Sequence, residues 1–262
     1  MSTATALSAC SLFTNLDNLA SDASTALDAS DASTDASPSD VVSDQALTFC
    51  QTVDGAAFCD DFTEQSEGMG IFVPPWTKEF LNNGSLTQAV VDGGDWLSAS
   101  VGAGDASSYA YLRRTLGVSG SLTHYAFDLQ IVVPGGVTGV NASLVEVPTD
   151  ASDIQAGFVY LAVTGTNATL FEQHVYVDGS IGTLAGMPFL APPPGSPVHV
   201  DIIVDTAAQT ASLALDGGTP SAFNIPGFFV AGTPAIRAGI THENPLTNQF
   251  QLMVTNVVVW VE

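Results

Sequence analysis

The chain has 262 residues, 46% of them hydrophobic and only 12% charged, and its four Lys plus Arg face 27 Asp plus Glu for a net charge of −23. About a quarter of an average soluble domain is charged, so this surface is finished mainly by Ser, Thr, Asn, Gln and Gly. The scarcity of cations excludes a nucleic-acid binder, whose affinity comes from neutralising phosphates. It also argues against anionic lipid headgroups and anionic polysaccharides, which the protein's field repels. No run reaches the ~18 apolar residues of a transmembrane helix.

In chain order, Leu7-Ser8-Ala9-Cys10 comes first and resembles the bacterial lipobox, in which a signal peptidase cuts before a cysteine that then carries lipid. The resemblance implies lipidation of Cys10, with residues 1–10 the remnant of a signal peptide. A signal segment needs a basic start and an apolar core. Residues 1–6 have neither, so the lipobox also implies a start upstream of Met1. Residues 11–47 follow as a linker. Of positions 20–46, 20 of 27 are Ala, Ser or Asp, and Asp-Ala-Ser recurs from Asp22, Asp28, Asp31 and Asp35. Ser and Asp compete for backbone hydrogen bonds, Pro38 breaks any run, and no period yields an apolar face. A solvated, disordered spacer is expected, as a lipid-anchored protein requires.

Cys50 and Cys59 stand where the linker meets the domain, with a turn at Asp54-Gly55 between them. In an exported chain they are expected to pair, leaving Cys10 for lipid. A zinc site would need two further ligands, and a redox pair is usually Cys-x-x-Cys. On the chain-entropy picture a ring this size adds about 2–3 kcal/mol.

Residues 48–262 alternate apolar and polar residues in short runs separated by Gly, Pro, Asn and Asp. Strands are predicted at Trp96–Val101, Tyr109–Thr115, Leu122–Val133, Ala142–Val147, Phe158–Thr164, Ala168–Val177, Val198–Asp205, Thr210–Asp216, Ala235–Thr241 and Phe250–Val261. In 198–205, Val198, Val200, Ile202 and Val204 share one face while His199, Asp201 and Asp205 take the other, a period of two. No stretch of a dozen residues carries a helical stripe. The fold class is therefore all-β, an antiparallel β-sandwich jelly roll behind a disordered N-terminal segment.

Two features resemble the concanavalin A-like, laminin G-like jelly roll. Val198-His-Val-Asp-Ile-Ile-Val-Asp205 followed by Thr210-Ala-Ser-Leu-Ala-Leu-Asp-Gly217 is similar to that family's penultimate hairpin. Phe58-Cys-Asp-Asp-Phe62 and Val254-Thr-Asn-Val-Val-Val-Trp-Val261 resemble its first and last strands, which are neighbours there. The family holds lectins, hydrolases, lyases and adhesion modules, so fold alone does not name an activity.

Hydrolases of this family place carboxylates on one strand as E-x-D-x-E, and the Glu residues here (64, 67, 79, 146, 172, 243 and 262) form no such run. The lyase branch uses Gln-x-His, whereas this chain has Glu172-Gln173-His174. The reading is therefore non-catalytic: a cell-envelope lipoprotein, or a secreted protein, displaying a monomeric domain that binds a neutral carbohydrate or a protein and touches the membrane only through its lipid. A diverged polysaccharide-degrading enzyme and a structural protein without ligand are the alternatives. Tyr111, Arg113, Glu172, His174, Tyr176 and Trp96 are the candidate ligand-binding residues, because aromatic rings stack on sugars and carboxylates accept from hydroxyls. The alternative for His174 and Tyr176 is a plain solvent-side strand face. Trp76 is a further stacking candidate, and Trp260 is expected in the core. The family often holds one structural calcium, for which Asp60, Asp61, Asp92 and Asp95 are the possible ligands; Asp-Gly pairs also make turns.

Overall fold

The computed structural model describes residues 49–63, 76–104, 108–133, 140–164, 167–186, 188–241 and 248–262. The expectations for residues 1–47, including Cys10, fall outside them. After a 3-10 turn at Phe49–Thr52 come β1 (Phe58–Asp60), β2 (Thr77–Leu81), β3 (Gly84–Val91), β4 (Gly94–Val101), β5 (Tyr109–Thr115) and β6 (Leu122–Val133). Then follow β7 (Val140–Val147), β8 (Ile154–Thr164), β9 (Asn167–Tyr176), β10 (Ile181–Ala185) and β11 (Phe189–Leu190). The chain closes with β12 (Pro197–Asp205), β13 (Thr210–Leu215), β14 (Ser221–Asn224), β15 (Ala235–Thr241) and β16 (Phe250–Val261).

These strands form two antiparallel sheets. The first runs β14-β13-β12-β6-β16-β4-β3 with β1 against β16, and the second runs β10-β9-β8-β7-β15-β5-β2 with β11 against β9. The inner faces meet in one core that includes Leu97, Tyr125, Phe127, Ile202, Leu213, Phe229 and Phe250. This is a jelly-roll sandwich, and all ten predicted strands are in it. The predicted pairing of the ends is present as Phe58 opposite Val259 and Asp60 opposite Val257. Of the strands not predicted, β2, β3, β10 and β14 are the four sheet ends. Leu86 is the only buried residue of these four strands, so their sequences need not alternate.

Two bulges decide which side chains face outward. Ser143 (φ 57°) is an extra residue in β7: Ala142 lies opposite Leu161 but Leu144 lies opposite Tyr160. Ala142 therefore enters the core while Leu144 and Glu146 turn to the outer face. Asn256 (φ 51°) does the same in β16, where Thr255 pairs with Asp128 and Val258 with Ala126. Past it Val257 and Val259 point inward and Trp260 points outward, so the core placement expected for Trp260 is corrected. Its ring stacks on His124 at 4.7 Å and its Nε1 donates to the Asp54 carbonyl (3.3 Å).

Cys50 and Cys59 form a disulfide with their Cα atoms 5.7 Å apart. A structural disulfide points to an extracytoplasmic protein. Among the described residues no helix is long and apolar enough to cross a membrane.

Candidate functional site

The outer face of the second sheet carries two cross-strand rows. One runs Thr77, Arg113, Arg237, Leu144, Tyr160, Phe171 and Ala185 from β2 to β10. The next runs Ala235, Glu146, Phe158, Gln173 and Thr183. The β15 end is charged and the β8–β9 end aromatic. A cleft of about 340 Å³ opens over Arg113, Glu146, Gln155, Phe158, Thr233 and Arg237. A smaller one of about 140 Å³ adjoins it at Phe158 and Arg237.

Glu146 is the hub of the charged end. Its Oε1 accepts from Arg113 Nε (2.8 Å) and Arg237 Nε (2.6 Å), and its Oε2 accepts from Arg113 Nη2 (2.6 Å). Arg237 Nη1 donates to the Tyr111 hydroxyl (3.0 Å), which donates to Glu79 Oε2 (2.6 Å). The Arg237 guanidinium also lies over the rings of Tyr111 (4.7 Å) and Phe158 (5.4 Å), a cation–π arrangement. From the core, the Tyr125 hydroxyl donates to the Arg237 carbonyl (3.4 Å). Burial pushes the Glu146 carboxyl up, but the hydrogen bonds and charges of the two arginines outweigh it and hold it below its ordinary value. Burial, then the hydrogen bond to Glu79, push the Tyr111 phenol up, so it stays a proton donor.

Of the predicted binding residues, Tyr111 and Arg113 are in this network. Glu172 and His174 are not on that face. Both point between the sheets, fully or almost fully buried, with Glu172 Oε1 2.7 Å from His174 Nδ1 and the Tyr176 hydroxyl 3.1 Å from His174 Nε2. The His174 ring meets Phe228 edge-on at 4.9 Å. The expected solvent face for this strand segment is corrected: β9 turns Phe171, Gln173 and Val175 outward instead. Burial pushes the Glu172 carboxyl up against the pull of His174. Trp96 is buried on the outer side of the first sheet, and Trp76 is buried between Phe58 and Phe62. Neither offers a stacking face at the groove. Glu79, Glu146, Phe158, Tyr160 and Arg237 were missed, although alternation marked β8 and β15 as strands.

The four aspartates proposed for calcium divide. Asp60 accepts from the Phe62 amide (2.7 Å) and the Trp76 indole (2.5 Å), and Asp61 accepts from the Thr63 amide and hydroxyl. Asp92 (φ 51°) and Gly93 form the β3–β4 turn. Asp61, Asp92 and Asp95 line one cleft of about 320 Å³. Among the described residues, no group of three or more His, Cys, Asp or Glu is arranged to hold a metal ion, so these aspartates form no ready cage.

The outer face of the first sheet holds a separate polar chain. Asp201 Oδ1 lies 2.8 Å from His124 Nε2 and 3.6 Å from His199 Nε2, and His199 Nδ1 lies 2.7 Å from Asp128 Oδ1. The hydrogen bond to Asp128, then that to Asp201, push His199 up to about 10. Burial opposes ionisation of Asp201, but its two histidines outweigh it and hold its carboxyl well below the usual range. A raised histidine stabilises fully below its unfolded value and loses that contribution as pH climbs through its folded one. His199→Gln is therefore expected to cost most near pH 6 and little above pH 10 (about the folded value) in urea titrations. An equal deficit at both pH values would contradict the ion pairing.

No protein-family model matches the chain, and no curated protein matches it. Solved structures do. A Bacteroides ovatus mixed-linkage glucan PUL GH16 protein with its product has a TM-score of 0.56 at 11% identity, covering 77% of this chain and 99% of that one. The kappa-carrageenase of Pseudoalteromonas carrageenovora with an oligotetrasaccharide has a TM-score of 0.52 at 12% identity, covering 78% and 93%. A sialidase has a TM-score of 0.53 at 14% identity over 79% of this chain, which spans 19% of that protein's length. At such identities what is shared is the fold, a concanavalin A-like jelly-roll sandwich that glycan-binding and glycan-degrading proteins both use. The non-catalytic expectation is overturned here. It rested on missing motifs, yet the fold is one on which polysaccharide-cleaving proteins are built.

Proposed function

We propose that this protein binds a neutral polysaccharide chain laid along the outer face of its second sheet. The observation that carries the reading is the clamp of Arg113 and Arg237 on Glu146. It gathers two of the chain's four basic residues into one groove and leaves Arg113, Arg237, Glu79 and Glu146 summing to zero charge. A neutral groove with aromatic rings and fixed donors suits sugars, whose C–H faces stack and whose hydroxyls bridge charged groups. The lipobox supports tethering to the cell envelope through Cys10; palmitate labelling that survives Cys10→Ala would refute it.

Cleavage in the same groove is the second reading, favoured by one pair of groups. The ionised Glu146 carboxylate and the Tyr111 hydroxyl stand in one groove, joined through Arg237, as a nucleophile and a proton donor would. The test is a panel of neutral polysaccharides against residues 48–262 and the Arg237→Met variant, followed by calorimetry and reducing-end release. At least one polysaccharide should bind, with affinity falling about tenfold or more in the variant. Absence of binding across the panel, or equal affinity in the variant, sinks the reading.

A further inference from the structure

The groove's two ends differ in chemistry, and the smaller cleft has its own character. The row that begins at Arg113 and Arg237 continues through Leu144, Tyr160 and Phe171. Leu144, Tyr160 and Ala162 form a hydrophobic cluster distinct from the main core, with Phe158 and Phe171 packed against it. Tyr160 and Phe171 stack nearly parallel, 11° apart with centroids at 5.6 Å. An apolar cluster on the outside of a sheet has no role in joining the two sheets. Its Leu144, Phe158 and Tyr160 floor the cleft of about 140 Å³, whose far wall is Gln173, Val175 and Ile181, the last two paired across β9 and β10. Ile181 is 54% exposed at that wall, and the polar Asn141, Thr241 and Arg237 stand on the side nearer the charged end.

That space is close to the ~150 Å³ that holds one six-membered ring. The ring admitted must present carbon to Tyr160, Val175 and Ile181 and hydroxyls to Asn141, Gln173, Thr241 and Arg237. An ordinary hexose would turn its hydroxymethyl group, or a ring hydroxyl, onto the apolar wall and desolvate it there. Resting on the glycan reading above, we infer that the smaller cleft selects a sugar bearing a methyl group in place of the hydroxymethyl, a 6-deoxyhexose, as the residue beside the charged cleft. The methyl then packs on Ile181 and Val175 while the remaining hydroxyls face Arg237.

The test compares one neutral oligosaccharide ended either by galactose or by 6-deoxygalactose, titrated calorimetrically into the full chain and into its Ile181→Asn variant. Ile181 is a surface position on a rim strand, so the variant should fold, which circular dichroism checks. The deoxy form is expected to bind about tenfold or more tightly, as a well-fitted methyl commonly does. In Ile181→Asn that preference should shrink below about twofold, because the deoxy form loses its methyl contact and the galactose hydroxyl gains a polar partner. Equal binding of the two forms by the native protein overturns the inference and leaves the glycan groove standing. A preference that persists in Ile181→Asn moves the methyl elsewhere and overturns it too. If neither form binds, and the neutral-polysaccharide panel is also silent, the groove reading falls along with it.

Discussion

Glu146→Leu is expected to lower stability by about 3 kcal/mol, because it strands two guanidiniums that share one carboxylate in a partly desolvated groove. Exposed ion pairs give at most ~1 kcal/mol, but here the Glu146 side chain is 18% exposed and that of Arg237 20%. The two positive charges would be left facing each other with the three N–H donors that Glu146 now accepts from unmet. For a domain of this size the melting temperature should fall by roughly 6–12 °C. Glu146→Gln keeps the shape and one acceptor and should cost about half as much. Any polysaccharide binding or cleavage should be lost in the Leu variant, which releases Arg113 and Arg237, and weakened in the Gln variant, which keeps one acceptor for them. A Leu variant as stable as the native protein would mean that solvent already screens the clamp.

Gly239→Ala should be at least as damaging, by about 3 kcal/mol or more, for a reason rooted in the backbone. Gly239 has φ +127°, a region that side chains rarely enter, and an added Cβ would stand 2.5 Å from the Ala110 carbonyl oxygen and 2.9 Å from Tyr111 Cα. Those atoms are main chain and cannot swing away. Gly239 lies opposite Tyr111 and within the irregularity that separates Arg237 from Ile240 in their pairing with β7. Relief of the clash has to move β5 or β15, and with them Tyr111 and Arg237. Denaturant unfolding measures the loss. A deficit under about 1 kcal/mol would show that the bulge relaxes easily and does not fix the groove.

The interior strands were legible because, between bulges, each turns every second residue into the apolar core. Tyr109–Thr115, Leu122–Val133, Ala235–Thr241 and Phe250–Val261 have the predicted bounds. The disulfide was legible too, since its two cysteines are close in sequence and each is the other's nearest thiol. Tyr111 and Arg113 could be named because they alternate on one strand. Their partners could not. Glu146 is 33 residues from Arg113 and 91 from Arg237, and Tyr111 is 126 from Arg237. Alternation tells which residues of one strand share a face, but it says nothing of which strand lies beside it or in what register.

Glu172 and His174 show the same limit from the other side. Period two correctly placed Glu172, His174 and Tyr176 together, and it could not say that their face is the inner one. Polar residues ordinarily mark the outer face, and here a carboxylate–imidazole pair is buried next to Phe228, with Glu172 Oε1 held by His174 and Oε2 without a partner. The acid-rich composition, the near absence of cations, the β-class and the ten interior strands were all determined by the sequence alone. The groove was decided by tertiary structure. One extra residue at Ser143 turns Glu146 outward to meet two arginines, and another at Asn256 turns Trp260 out of the core. A period of two carries side-chain direction along a strand only until a bulge inserts a residue, and where a bulge falls depends on strands far away in the chain.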